Sequence, residues 1–224
     1  MGSTLLVNDT AAWMPTAGVY LRALELISQK LDEGHPIKIM IEDELRAEVL
    51  IFDFSEFNDD EMQLIYTIFN SIMETATDQG PSFFRNPPLY ASVKSIFLEL
   101  RATLEVDKRV HFNGGIKQLH VNETQTWSAP EWVYRLIVGV FEGSLRIEFP
   151  EIAKIFTDKV DIDLSQLNSL DFQKVWVASE WVNSLYGVNP GYVTVCDDFN
   201  KYLLPLVSSL ISMLKGDARM AAQK

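Results

Sequence analysis

The chain has 224 residues, with 31 acidic against 19 basic and a formal net charge of -12 at pH 7. A folded surface this acidic repels nucleic-acid phosphates and anionic lipid and attracts basic partners. With 47% hydrophobic and 11% aromatic residues, a chain-wide disordered state is excluded and a large core is expected.

The single cysteine, Cys196, cannot close an internal disulfide, which suits a reducing compartment. It reads as a small buried apolar residue rather than a nucleophile. The N-terminus lacks the basic and apolar regions of a secretory leader, and no apolar run approaches the roughly 20 residues that span a bilayer. A cytoplasmic chain is expected.

In chain order, Thr16 to Glu33 predicts a helix, because Tyr20, Leu24, Ile27 and Leu31 recur at its period and Gly34 can supply a left-handed stop. His35-Pro36 then favours extended backbone. Ile37, Ile39 and Ile41 alternate with Lys38 and Met40 and predict a strand, paired with a second one within Leu45 to Phe54. Asn58 and Glu61 form an Asn variant of the capping box, with Phe57 and Met62 at the staple positions. Asp59, Asp60 and Glu61 then complement the dipole of a helix whose inward stripe is Met62, Ile65, Phe69, Ile72 and Ala76. Gly80 to Pro88 reads as a loop carrying Phe83 and Phe84. A helix follows with Leu89, Val93, Ile96, Phe97, Leu100 and Leu104 on one face.

Arg109 to Val121 predicts a hairpin turning at Asn113-Gly114. Ser128 and Glu131 suggest a second capping box, with Pro130 in the first turn. Gly143 is expected to end that helix, and Leu145 to Phe149 to form a short strand. Asp158 to Asn168 is acidic and irregular. Phe172, Val175, Trp176, Ser179, Val182 and Tyr186 set a further helix, and Asn189-Pro190-Gly191 a turn. The last helix is faced by Phe199, Leu203, Leu206, Leu210 and Leu214, contains Pro205 and stops at Gly216; Asp217 to Lys224 is expected to fray. No repeat of fixed period is legible. The expected fold is α+β, predominantly α-helical, with about six or seven helices and small antiparallel hairpins, in a single domain over 1-224 whose weakest seam lies near 106-126.

No phosphate loop, dinucleotide fingerprint, nucleophile elbow or paired-cysteine motif occurs. His111 and His120 would approach each other across the expected hairpin, with Glu123 three residues on, a set able to hold zinc but matching no defended spacing. Asp161 and Asp163 would share one side of an extended segment, as cation sites require, although a turn role suits Asp163 equally. Asp197-Asp198 reads as a cap. Trp176 and Trp181 lie about 140° apart on a helix, so one of them is expected at a rim. Trp127 is expected to make a staple-like contact. Basic residues form no stripe, so nucleic acid is not an expected partner.

The expected function is a non-catalytic, acidic cytoplasmic binding protein of inhibitor or immunity character. It would neutralise a basic protein partner by electrostatic docking, with Glu42, Asp43, Glu44, Asp59, Asp60, Asp161, Asp163 and Trp181 as contacts. No metal, cofactor or membrane partner is expected. The alternatives are an assembly or adaptor subunit of a larger complex, such as a phage assembly, anchored through Phe83, Phe84 and an exposed Trp, or a metal-assisted hydrolase or transferase using His111, His120, Glu123, Asp161 and Asp163.

Overall fold

The computed structural model describes residues 3-84, 87-111, 114-157, 161-186 and 194-221, with backbone alone at 87, 194-202 and 221. The elements are β1 (Thr4–Asn8), β2 (Ala11–Trp13), α1 (Ala17–Ser28), α2 (Pro36–Ala47), β3 (Ile51–Asp53), α3 (Asp59–Gln79), α4 (Tyr90–Glu105), β4 (Ile116–His120), β5 (Thr126–Pro130), α5 (Glu131–Glu148), α6 (Pro150–Ala153), β6 (Ile162–Asp163), α7 (Ser169–Tyr186), β7 (Thr194–Cys196), α8 (Asp197–Lys215) and α9 (Ala218–Ala221). The fold is α+β and predominantly helical. Its sheets have orders β3-β1-β2-β7 and β5-β4-β6. Each is mixed: β1 pairs antiparallel with β2 and parallel with β3, and β4 likewise with β5 and β6. The parallel pairs arise because α1-α2 and α5-α6 carry the chain back across the sheet.

The two halves are built to one plan, so the sequence does contain a repeat. Val7-Asn8-Asp9-Thr10, Trp13 and Val19-Tyr20 return, 114 positions later, as Val121-Asn122-Glu123-Thr124, Trp127 and Val133-Tyr134. Phe52-Asp53-Phe54-Ser55 and Asn58 return 110 positions later as Ile162-Asp163-Leu164-Ser165 and Asn168, as does Asp107-Lys108-Arg109 as Asp217-Ala218-Arg219. The offset changes because the stretch between these motifs, which holds the twelve-residue α2 in the first half and the four-residue α6 in the second, is shorter in the second half. That change defeats a search at one period.

Contacts repeat with the residues. The Trp13 indole donates to the Ile96 carbonyl at 3.0 Å, and the Trp127 indole to the Leu206 carbonyl at 2.9 Å. Phe54 N–H donates to Leu6 O at 2.8 Å, and Leu164 N–H to His120 O at 2.7 Å. Asn58 and Asn168 both cap the helix that follows them, accepting from Glu61 N–H and Asp171 N–H.

An arginine locks each repeat. The Arg109 guanidinium donates to the carbonyls of Val7, Phe54, Ser55 and Phe57 and to both oxygens of Asp107, which also accepts from Asn8. Arg219 donates to the carbonyls of Val121, Leu164 and Leu167 and to Asp217, which accepts from Asn122. Each lock ties a hairpin turn and the turn after the third strand to the end of the repeat's last long helix. Burial alone would raise the Asp107 carboxyl, but the Arg109 and Asn8 hydrogen bonds hold it below the ordinary carboxylate range. Arg219 and, less strongly, Asn122 hold Asp217 down at about 2.

The repeats meet along α4 and α5, and buried side chains of both halves form one continuous apolar cluster. A Cβ at Gly139 of α5 would lie 2.6 Å from Leu98 of α4, so glycine sets the close approach. Beside it Lys94 of α4 is ion-paired with Glu142 of α5, both nearly fully buried, and Arg146 donates to Glu142 at 2.8 Å. Burial pushes the Lys94 ammonium below its usual range even against the pull of Glu142.

Several local expectations are corrected. Residues 37-41 are helix, not strand. Pro36 fills the first helical turn, His35 Nδ1 accepts from Ile37 N–H at 3.2 Å, and Ile37 and Ile41 bury together while Ile39 stays exposed. Of the expected strand within 45-54 only Ile51–Asp53 forms, and it pairs with β1. Residues 109-111 are not strand; the hairpin is β4-β5, turning where Asn122 accepts from the N–H groups of Thr124 and Gln125. Phe112 and Asn113 lie outside the described residues. Ser128 is a strand residue and no cap. Gly143 sits inside α5, which continues to Glu148 in place of the strand expected at 145-149. Residues 217-221 are ordered by the Arg219 lock rather than frayed. α8 runs through Pro205 and ends before Gly216.

Candidate functional site

The expected contact residues fall on four elements. Glu42, Asp43 and Glu44 lie in the C-terminal half of α2, Asp59 and Asp60 in the first turn of α3, Asp161 and Asp163 at β6, and Trp181 near the end of α7. Glu42 is 4.0 Å from Lys38, and Asp43 pairs with Arg46 at 3.1 Å on the surface. Asp59, Asp60 and Asp161 are exposed and make no ion pair among the described residues. Asp163 accepts from Ser165 N–H at 2.8 Å, and its counterpart Asp53 from Ser55 N–H at 2.7 Å. This turn role recurs in both repeats. Asp158 and the side chains of Cys196, Asp197 and Asp198 lie outside the described residues, as does the turn at 189-191.

Of the metal-site candidates, His120 and Asp163 come together as paired residues of β4 and β6, but among the described residues no group of three or more His, Cys, Asp or Glu side chains could hold an ion. His120 Nδ1 is 2.9 Å from Thr126 Oγ1, and exposed His111 uses its backbone N–H on Gln63. Of the expected apolar anchors, Phe84 is buried against Tyr90 and Phe97, with Phe83 edge-on to it. Trp127 is a core residue.

A different surface emerges from comparing equivalent helices. α7 exposes Leu170 (67%), Val177 (59%) and Trp181 (36%). These positions are i, i+7 and i+11, within about 40° of one another around the helix. Their counterparts on α3, 110 positions earlier, are Asp60, Thr67 and Ser71. The shared fold therefore does not require apolar residues there. The C-terminal part of this stripe borders a groove of about 470 Å³ between α4, α5 and α7, with Leu145, Phe149, Val177, Ala178 and Trp181 among its apolar lining. Glu148 and Glu180 stand exposed at its edge. Lys174, the cation in the groove, is held by Asp171 at 2.8 Å and Glu151 at 3.3 Å, and lies over the Phe149 ring at 5.1 Å. The stripe was hard to read from sequence because α7 also carries apolar residues on its buried side, so no polar face stands out. Only alignment with α3 separates the two sets.

Among the described residues no helix is long and apolar enough to cross a membrane. No protein family, curated protein or solved structure matches the chain.

Proposed function

We propose that this protein is an acidic binding protein that captures a basic protein partner, with the α7 stripe as its apolar anchor. The observation that carries the reading is the run Leu170, Val177 and Trp181, exposed on α7 where α3 has Asp60, Thr67 and Ser71. An exposed apolar run edged by polar residues marks an interaction surface. A half-exposed Trp beside a groove suits an interface hot spot. Glu148 and Glu180 would face lysines or arginines flanking the inserted apolar group. The more distant carboxylates Glu42, Asp43, Glu44, Asp59, Asp60, Asp161 and Asp163 add a long-range field that steers a cationic partner. Inhibition or immunity is the use of such capture that this charge suits best.

The test is to isolate the bound partner from native cells and measure its association at increasing ionic strength. A basic partner whose on-rate falls steeply with salt, and which Trp181→Ser and Glu148→Lys/Glu180→Lys each release, is the expected result. A neutral or acidic partner, or an on-rate indifferent to salt, overturns the reading. The aliphatic character of Leu170 and Val177 also favours a second reading, a subunit of a larger assembly. There the isolated complex would contain several chains and would persist at high salt.

A further inference from the structure

The junction of the two repeats holds a second concavity, a cleft of about 490 Å³ between α3, α4, β4 and α5. Its size falls within the range of small-ligand pockets. Met73, Leu98, Val138 and Phe156 give it an apolar floor. Arg101 lines it with a side chain only 13% exposed. Its Nε is committed to Glu105 at 3.1 Å, and its two terminal nitrogens have no hydrogen-bond partner among the described residues. These nitrogens are not sealed from the cleft, so they remain free to donate to an acceptor that enters it. Glu105 itself is already satisfied, by Arg101 Nε and by the Tyr66 hydroxyl at 3.1 Å, with Arg135 3.8 Å away. The Arg101 donors are therefore not needed to neutralise it. Lys117, also on the cleft, is only loosely paired with Glu131 at 3.7 Å.

The α3 wall carries Glu74 and Asp78, both exposed. Two carboxylates at one wall disfavour a polyanion such as a nucleotide triphosphate. One negative group on an apolar body meets both the guanidinium and the floor. The planar fork of arginine matches the two oxygens of a carboxylate. Neither Arg101 nor Gly139 has a like residue at the counterpart position, which holds Ile211 in the second repeat and Glu25 in the first. The cleft thus belongs to the junction alone.

We infer that the cleft between the repeats is a binding site for a small carboxylate with an apolar tail, its carboxylate held by Arg101 and its tail over Met73, Leu98, Val138 and Phe156.

The test is calorimetric titration of the full chain with octanoate, with 1-octanol and inorganic pyrophosphate as separate arms. One site for octanoate is expected, with octanol and pyrophosphate each binding at least about tenfold more weakly, since a charge-assisted hydrogen bond contributes about 1.5–3 kcal/mol. Arg101→Gln should weaken octanoate by about tenfold or more, and Arg101→Lys by less. Thr77→Trp, at a partly exposed position of the α3 wall, fills the cleft and leaves every ion pair in place, so it should also abolish binding while the melting temperature stays within a few degrees. Absence of octanoate binding, tighter binding of pyrophosphate, equal binding of octanol, or octanoate affinity unchanged in both Arg101→Gln and Thr77→Trp each overturns the inference.

Discussion

Helices α3 and α7 occupy equivalent places, follow equivalent asparagine caps and bury equivalent inner faces, yet one shows water Asp60, Thr67 and Ser71 and the other Leu170, Val177 and Trp181. What the two repeats share is what the fold needs: the Asn-Asp-Arg lock, the tryptophan bonded to the last long helix, and the turn aspartate. What only one has is not required by the shared fold. By that criterion the α7 stripe and Arg101 at the junction, the two proposed binding features, stand apart from the shared fold. Asp163, present in both as a turn former, belongs first to the fold.

The comparison can be broken most sharply at the locks. Arg109→Met strips the partners from four carbonyls and leaves the Asp107 carboxylate buried without its cation. A loss of about 3–5 kcal/mol is expected. Arg219→Met should cost less, about 2–3 kcal/mol, because that side chain is more exposed and serves three carbonyls. Urea denaturation of both variants decides it; a larger loss at Arg219 would show that the repeats are not locked alike.

At the junction, Glu142→Gln leaves the Lys94 ammonium buried without its anion. A loss of about 3 kcal/mol is expected, and the double change Lys94→Met/Glu142→Leu should recover most of it. If the double variant is no better than the single, the pair contributes more than mutual neutralisation.

Titration should separate locks from core. Asp107 and Asp217 have folded values below their unfolded ones, so their stabilisation is complete above about pH 4 and is lost as pH falls toward 2. Glu99, deep in α4, behaves in the opposite sense: burial raises its carboxyl to about 8. It stays protonated in the folded chain while the unfolded chain ionises, so rising pH between the ordinary glutamate value and about 8 removes stability. Thermal melts of Glu99→Gln should therefore gain on the parent across that window, and Asp217→Asn should flatten the acid limb.

The smallest stability effect is expected where the functional one is largest. Giving α7 the residues of α3 at its two most exposed stripe positions, Leu170→Asp and Val177→Thr, should change stability by no more than about 0.5 kcal/mol, because both side chains are mostly in water. A melting temperature lowered by many degrees would return these residues to the fold and remove them from the proposed binding surface.

The residues show why some of this was legible in sequence and some was not. The Asn58–Glu61 capping box, the stripe of α3 and the helices around Phe172 and Leu210 depend on neighbours within a few turns, so the chain alone specifies them. The run Ile37-Lys38-Ile39-Met40-Ile41 satisfies both period two and i, i+4, and its packing against α1 together with the Pro36 start and the His35 cap selects the helix. β1 and β2 are short and join partners some fifty and more than a hundred residues away, beyond any local signal.

By itself, the sequence determined the helical character, the acidity and the strongest helix starts, because propensity, caps and charge act over a few residues. Tertiary structure alone decided which strands pair, that Arg109 and Arg219 do the same work, that Phe84 is core and Trp181 is not, and that a guanidinium faces a cleft between repeats. Each of these turns on side chains distant in the chain becoming neighbours in space.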